Sequence, residues 1–276
     1  MKTFVQAFSH IKAFFCLAWL GFHFLQGFLI VFVNRLRWGK EWFYSDRGAK
    51  IVQRWMWRGS RVLGLNIQVS GAPYSKSAVL VSNHISWLDI VAIAATTPVT
   101  FVSKSDLQHW PIVGVLAEAT GTVFIKRGNI FSVHRTLNYL NEIINSGRKT
   151  VFFPEGTTTR GDSVNKFNSG LFESANSANC PVQPIAISYF HEGRADREIA
   201  PYVDDDHFVT HLWNLFRVGK LDVQLDFIDE LPANTYSRYE LASFCQSRIA
   251  EVLKTSEMIN EDYPAEIYDV GYVFTS

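Results

Sequence analysis

Twenty-one consecutive residues without a charge, Ala13 to Val33, set the first constraint on this chain: the run must be covered by lipid or by other protein. An α-helix rises 1.5 Å per residue, so a stretch of this length matches the roughly 20 residues needed to cross the hydrocarbon core of a bilayer. His23 and Gln26 interrupt it, which leaves an in-plane or re-entrant helix open beside a spanning one. A cleaved signal peptide fits less well, because the run outlasts an ordinary apolar signal region and no small-x-small site closes it.

Residues 34–61 carry Arg35, Arg37, Lys40, Arg47, Lys50, Arg54, Arg58 and Arg61 against only Glu41 and Asp46. From Arg47 onward these cations step at three and four residues, which puts them on one stripe of a helix. Trp38, Trp42, Phe43, Tyr44, Trp55 and Trp57 are interleaved with them. Aromatic rings and basic side chains together suit the headgroup zone, where each cation near an anionic leaflet contributes about 1 kcal/mol. Nucleic acid competes for basic and aromatic surfaces in general, but the adjoining apolar run makes the lipid bilayer the expected partner and nucleic acid not one. A formal net charge of zero hides this asymmetry, since residues 62–276 hold 16 basic and 24 acidic groups. A negative body on a positive foot orients itself on an anionic membrane. We therefore expect residues 1–61 to be a membrane anchor, an apolar helix followed by a basic aromatic interfacial helix. The positive-inside rule puts the basic flank, and residues 62–276 with it, on the cytoplasmic side.

Residues 62–276 are enough for one domain with a substantial core. Apolar runs at 64–69, 78–82, 99–103, 122–125, 150–153, 182–188 and 221–228 read as strands, the last alternating through Leu221, Val223, Leu225 and Phe227. Helical patterns fall between them at 89–95, 130–145 and 166–177, with 237–254 near the end. The expected fold class is α/β, a mixed sheet covered by helices and preceded by the anchoring segment, with motifs at strand ends meeting on one rim.

Two strand ends carry chemistry. In Val81-Ser82-Asn83-His84-Ile85-Ser86-Trp87-Leu88-Asp89, a histidine and an aspartate stand five residues apart directly after an apolar strand. A histidine, with a reference pKa of about 6.5, is partly neutral at physiological pH and able to take a proton from a hydroxyl, while a carboxylate fixes its tautomer. Positions i and i+5 do not share a helix face, so His84 belongs in the turn and Asp89 in the first turns of the next helix, reaching back. The same pair is also what an ordinary capped helix looks like. The second strand end is Phe153-Pro154-Glu155-Gly156-Thr157-Thr158-Thr159-Arg160-Gly161. Its turn is expected to offer free backbone N–H groups, threonine hydroxyls and Arg160 to a phosphate or an oxyanion; the alternative is a plain strand-to-loop corner.

Asn83-His84 with Asp89, followed by Phe153-Pro154-Glu155-Gly156-Thr157, resembles the glycerolipid acyltransferase family that includes the 1-acylglycerol-3-phosphate acyltransferases. Two further blocks agree in order. Lys104-Ser105-Asp106-Leu107, Pro111, Gly114, Gly121 and Val123-Phe124-Ile125-Lys126-Arg127 resemble the family's second block, and Val182-Gln183-Pro184-Ile185-Ala186-Ile187 its fourth. Lys166-Phe167-Asn168-Ser169-Gly170 resembles a Lys-Phe-x-x-Gly segment often found after the third.

The resemblance implies transfer of a fatty acyl group from acyl-CoA or acyl carrier protein to the hydroxyl of a lysolipid acceptor, with no further cofactor and no metal. His84 is then the base and Asp89 its partner; Lys104, Arg127, Glu155, Gly156, Thr157 and Arg160 hold substrate, Glu155 by organising the acceptor site. Many relatives carry an arginine where this chain has Thr158, with Arg160 two positions on as its substitute. The leading acceptor is lysophosphatidic acid, and the departure at Thr158 motivates a phosphate-free acceptor such as a lyso-ornithine lipid. A non-catalytic lipid-binding membrane protein and a thioester hydrolase are the readings from other classes. Cys16, Cys180 and Cys245 are too scattered for a metal or redox site and read as packing residues. The helix at 208–218 reads as core or as the wall of an acyl tunnel, and Asp204-Asp205-Asp206 with His207 and His211 as a solvated loop rather than a metal site. The segment from Pro264 onward carries no motif.

Overall fold

The computed structural model describes residues 2–110, 112–125, 130–232 and 234–262. In chain order the elements are α1 (Lys2–Trp38), α2 (Asp46–Val62), β1 (Leu65–Ser70), β2 (Val79–Ser82), α3 (Leu88–Thr96), β3 (Thr100–Lys104), α4 (Val113–Ala119), β4 (Val123–Ile125), α5 (Ile130–Asn145), β5 (Thr150–Phe152), α6 (Glu173–Ser177), β6 (Val182–His191), β7 (Arg194–Ala195), α7 (Phe208–Val218), β8 (Leu221–Phe227) and α8 (Arg238–Asp262). The sheet runs β1-β8-β6-β2-β5-β3-β4, with β7 folded back on β6. β2 lies parallel to both β5 and β6, and β6 runs antiparallel to β8, so the sheet is mixed as expected.

Alternation of side chains along each strand distributes the core between two faces. On the central strand Leu80 joins Leu88, Ala92 and Ile93 of α3 and Leu212, Leu215 and Phe216 of α7, while Val79 and Val81 join Leu140 and Ile144 of α5 and Cys245 and Ile249 of α8. Every residue of β2 and β5 is buried, because both faces are covered. Cys180 and Cys245 are free thiols inside the second cluster, in packing roles.

Two boundaries and one hairpin differ from the sequence pattern. The helix expected over 166–177 is confined to α6, after a 3-10 turn at Gly170–Phe172. Residues ahead of it are held out of helix because both the backbone N–H and the side-chain amide of Asn168 donate to the Pro154 carbonyl, at 2.9 and 3.0 Å. β6 also continues to His191, and its hairpin with β7 was not legible in the sequence.

α1 is apolar on all sides, but only one stripe of it meets protein. Ala13, Leu20 and His23 are buried, whereas Phe14, Phe15, Trp19, Phe22, Leu25, Leu29 and Phe32 face outward. The inner stripe docks on α7 and α2: His10 stacks on Trp213, and the His23 and Trp55 rings stack at 4.7 Å while the Trp55 indole N–H donates to the His23 carbonyl. On α2 the five cations of the stripe are exposed and Gly48, Trp55, Gly59 and Ser60 are buried, as the three-and-four spacing requires. Gly27 allows the close approach, since a Cβ there would lie 2.6 Å from the Trp55 ring. Gly27→Val is therefore expected to cost about 1–3 kcal/mol through overpacking, seen as a lower unfolding midpoint in detergent with helix content retained.

Candidate active site

Adjacent parallel strands β2 and β5 end side by side, which brings the two sequence motifs together. Just beyond β2 the Asn83 carboxamide accepts from the Ile187 N–H and donates to the Ile187 carbonyl, both at 2.9 Å, so a side chain continues the sheet bonding where the backbone turns away. His84 then sits in the turn. Its backbone N–H donates to Glu155 Oε1 at 2.7 Å, its carbonyl accepts from the Thr159 N–H at 2.8 Å, and its ring stacks on Phe153 at 3.9 Å between centroids.

Asp89 lies in the first turn of α3, fully buried, and reaches back over that turn. Its Oδ2 accepts from the Ile85 N–H at 2.7 Å and the Ser86 N–H at 3.0 Å, and meets His84 Nδ1 at 2.7 Å. Its Oδ1 accepts from the Tyr189 hydroxyl at 2.6 Å. The same carboxylate thus holds the turn ahead of α3 and fixes the imidazole, and the cap position itself, Trp87, has no side-chain capping bond. A carboxylate at Nδ1 selects the tautomer protonated there and leaves Nε2 as the basic atom. The His84 side chain is 18 % exposed, enough for Nε2 to meet a substrate.

Glu155 is 7 % exposed and both its oxygens are occupied, Oε1 by the His84 N–H and Oε2 by the Asn165 N–H at 2.8 Å. Burial raises its carboxyl above the ordinary glutamate range, and the two N–H bonds oppose that rise. It joins two loops, the geometry of an organising residue.

The turn after Glu155 is less open than the sequence suggested. The N–H of Gly156 donates to the Phe153 carbonyl at 3.1 Å, that of Thr159 to His84, and that of Gly161 to Thr159 Oγ1 at 3.3 Å. These three N–H groups are already bonded, that of Thr159 to the His84 turn, which corrects the expectation of a freely offered nest at those three positions. Thr157 and Arg160 are exposed, and Arg160 Nη1 donates to the Arg197 carbonyl at 3.4 Å. Lys104 is exposed at the end of β3, two strands from β2. Arg127 and Pro111 lie outside the described residues.

Beside His84 stands a half-buried aromatic wall. Trp87 packs on Phe208 at 5.2 Å, Trp110 on Phe208 at 5.3 Å and on Tyr202 at 6.3 Å, and the Tyr202 N–H ties the wall to the Ile85 carbonyl. α7 contributes Phe208 to this wall while Leu212, Leu215 and Phe216 fill the core. His211 is used structurally, between the Trp87 indole and the Ala200 carbonyl, and its burial lowers its proton affinity. The carboxylate of Asp206 accepts from the Val203 N–H, and no group of three possible ligands gathers around a metal position among the described residues.

Sequence reasoning missed Tyr189 and Asn165. Tyr189 continues the inward set Ile185 and Ile187 of β6, and a phenol at the place where an apolar alternation should end was the available signal. Asn165 acts through its backbone, for which a sequence gives none.

A family model described as Acyltransferase matches residues 66–188, a span that contains His84, Asp89 and Glu155 and ends one residue before Tyr189. The lyso-ornithine lipid O-acyltransferase of Pseudomonas aeruginosa is 38 % identical over 201 residues, which cover 72 % of this chain and 77 % of that one. The 1-acyl-sn-glycerol-3-phosphate acyltransferase of Neisseria gonorrhoeae is 30 % identical over 192 residues, 69 % of this chain and 75 % of that one. The crystal structure of the 1-acyl-sn-glycerophosphate acyltransferase from Thermotoga maritima superposes with a TM-score of 0.63 at 18 % identity, over 92 % of this chain and 97 % of that one.

Proposed function

This chain belongs to the acyltransferase family, and on that premise we propose that it esterifies the free hydroxyl of a lyso-ornithine lipid with a fatty acyl group from a thioester carrier. It is an O-acyltransferase of the lysolipid class; the proposal concerns its acceptor, its donor and the parts its residues play. The observation that carries the chemistry is the 2.7 Å contact of the fully buried Asp89 with His84 Nδ1. His84 Nε2 takes the proton of the acceptor hydroxyl as its oxygen attacks the thioester carbonyl. The tetrahedral intermediate collapses by breaking the carbon–sulfur bond, and the imidazolium returns the proton to the departing thiolate. Asp89 stabilises the transient imidazolium. Acyl-CoA and acyl carrier protein both supply such a thioester, and the route needs no other cofactor.

Two observations favour the ornithine acceptor. The relatives of that name include the 38 % identical Pseudomonas enzyme and a 34 % identical one from Rhizobium meliloti. Thr158 also stands where the family resemblance places an arginine, and Arg160 is exposed two positions on. The Neisseria relatives support a second reading, in which lysophosphatidic acid becomes phosphatidic acid and Lys104, Arg127 and Arg160 hold the phosphate.

The long apolar α1 and the lipid-modifying relatives associate the chain with the membrane. In our reading residues 1–61 are the anchor and residues 62–276 the acyltransferase domain on the cytoplasmic side, where acyl thioesters are made. Docking of the inner stripe of α1 on α2 and α7 supports a helix bedded in one leaflet, its outward phenylalanines in the acyl chains and the cations of α2 at the headgroups.

Thiol release from long-chain acyl-CoA and acyl carrier protein donors, measured with each acceptor, tests the proposal. Release that depends on lyso-ornithine lipid is expected. Dependence on lysophosphatidic acid alone would transfer the assignment to the second reading. Equal release without any acceptor would make the protein a hydrolase, and silence under every pairing would favour the non-catalytic alternative.

A further inference from the structure

We propose that Tyr189 is a positioning residue that sets how strongly Asp89 draws on the His84 ring, and thereby the pH range in which His84 works as a base. The inference rests on His84 being that base. β6 reaches the catalytic turn at two points: the Ile187 backbone grips Asn83, and two residues further on Tyr189 grips Asp89. Tyr189 is fully buried, and among the described residues its hydroxyl is the one group bonded to Asp89 Oδ1, whereas Oδ2 has three donors. Of these four donors only Tyr189 comes from outside the turn itself.

The electrostatic consequence follows from the direction of that bond. A hydrogen bond donated to a carboxylate withdraws part of its charge, so Oδ2 attracts a proton on the imidazole less strongly than an unassisted carboxylate would. Burial and the neighbouring Asp89 charge hold the Tyr189 phenol well above the ordinary tyrosine range, so it remains a donor throughout the working range of an enzyme. Two further carboxylates face the trio from other elements. Glu155 follows β5 and contacts the backbone of His84, and Asp196 follows β7 and acts on Tyr189 through space.

Removing the donor should raise the proton affinity of the ring, and the base then becomes available only at higher pH. In Tyr189→Phe the acidic limb of the kcat/KM profile is expected to move up by about half a pH unit, with activity largely recovered on the alkaline plateau. 3-Fluorotyrosine at position 189 has a more acidic phenol, donates more strongly and should move the limb the other way. A purely structural tyrosine would lower activity equally at all pH values and leave the limb in place in both variants. NMR titration of the labelled His84 ring separates its protonation from that of Glu155. If Tyr189→Phe does not fold, the isosteric fluorotyrosine decides: a downward shift supports the proposal and an unmoved ring titration overturns it. His84→Ala, assayed beside them, separates the premise. Retained activity there would remove His84 as the base, while loss there with no shift at position 189 would reject the role of Tyr189 alone.

Discussion

Replacing His84 with alanine is expected to lower kcat/KM for acyl transfer by about 10² to 10⁴-fold, the usual contribution of a positioned general base. The fold should persist, because the contacts that fix this turn run through the His84 backbone, to Glu155 and from Thr159, and survive truncation of the side chain. The ring itself gives up only its stacking on Phe153 and its bond to Asp89. Acceptor-dependent thiol release in detergent, beside a melting curve, reads both effects. A folded variant with more than a tenth of wild-type activity would show that the proton leaves by another route.

Asp89→Asn should be nearly as damaging, for a different reason. The carboxylate accepts from four donors, three of them on Oδ2. An asparagine relieves most of the clash by turning its oxygen to the Oδ2 side and its amide to Tyr189, whose hydroxyl is able to accept. His84 then keeps its tautomer but loses the negative charge that stabilises it when it carries a second proton. We expect a loss of about 10² to 10³-fold in kcat with binding of the acceptor little changed. An Asp89→Asn enzyme within threefold of wild type would reduce Asp89 to a brace of the turn at Ile85 and Ser86.

The sequence displayed the two-sided core and the pairing of motifs well, because both follow from period-two burial and from neighbouring strand ends. Leu80 and Val81 fall on opposite faces as their alternation requires, and His84 lies in a turn because five residues cannot close a contact on one helix face. Less legible was everything that depends on a partner distant in the chain. The segment at 166–169 has a helical pattern but is drawn off by the Pro154 carbonyl, and the N–H groups of Gly156, Thr159 and Gly161 are taken up by Phe153, His84 and the Thr159 hydroxyl. Tyr189 looked like one more strand aromatic until Asp89, a hundred positions away, was set beneath its hydroxyl.

The first strand of the sheet finds its parallel partner very late, Leu65 beside Leu221 and Ser70 beside Asp226, and α1 docks on α7 from the same C-terminal region. At 5–20 residues per second a ribosome needs roughly ten to thirty seconds to make the intervening chain. Throughout that interval α1 can meet α2 and α4 but not α7, and β1 has no β8 to pair with. Closure of the sheet at β1, and with it the packing of α1 on α7, therefore waits on the C-terminal part of the chain.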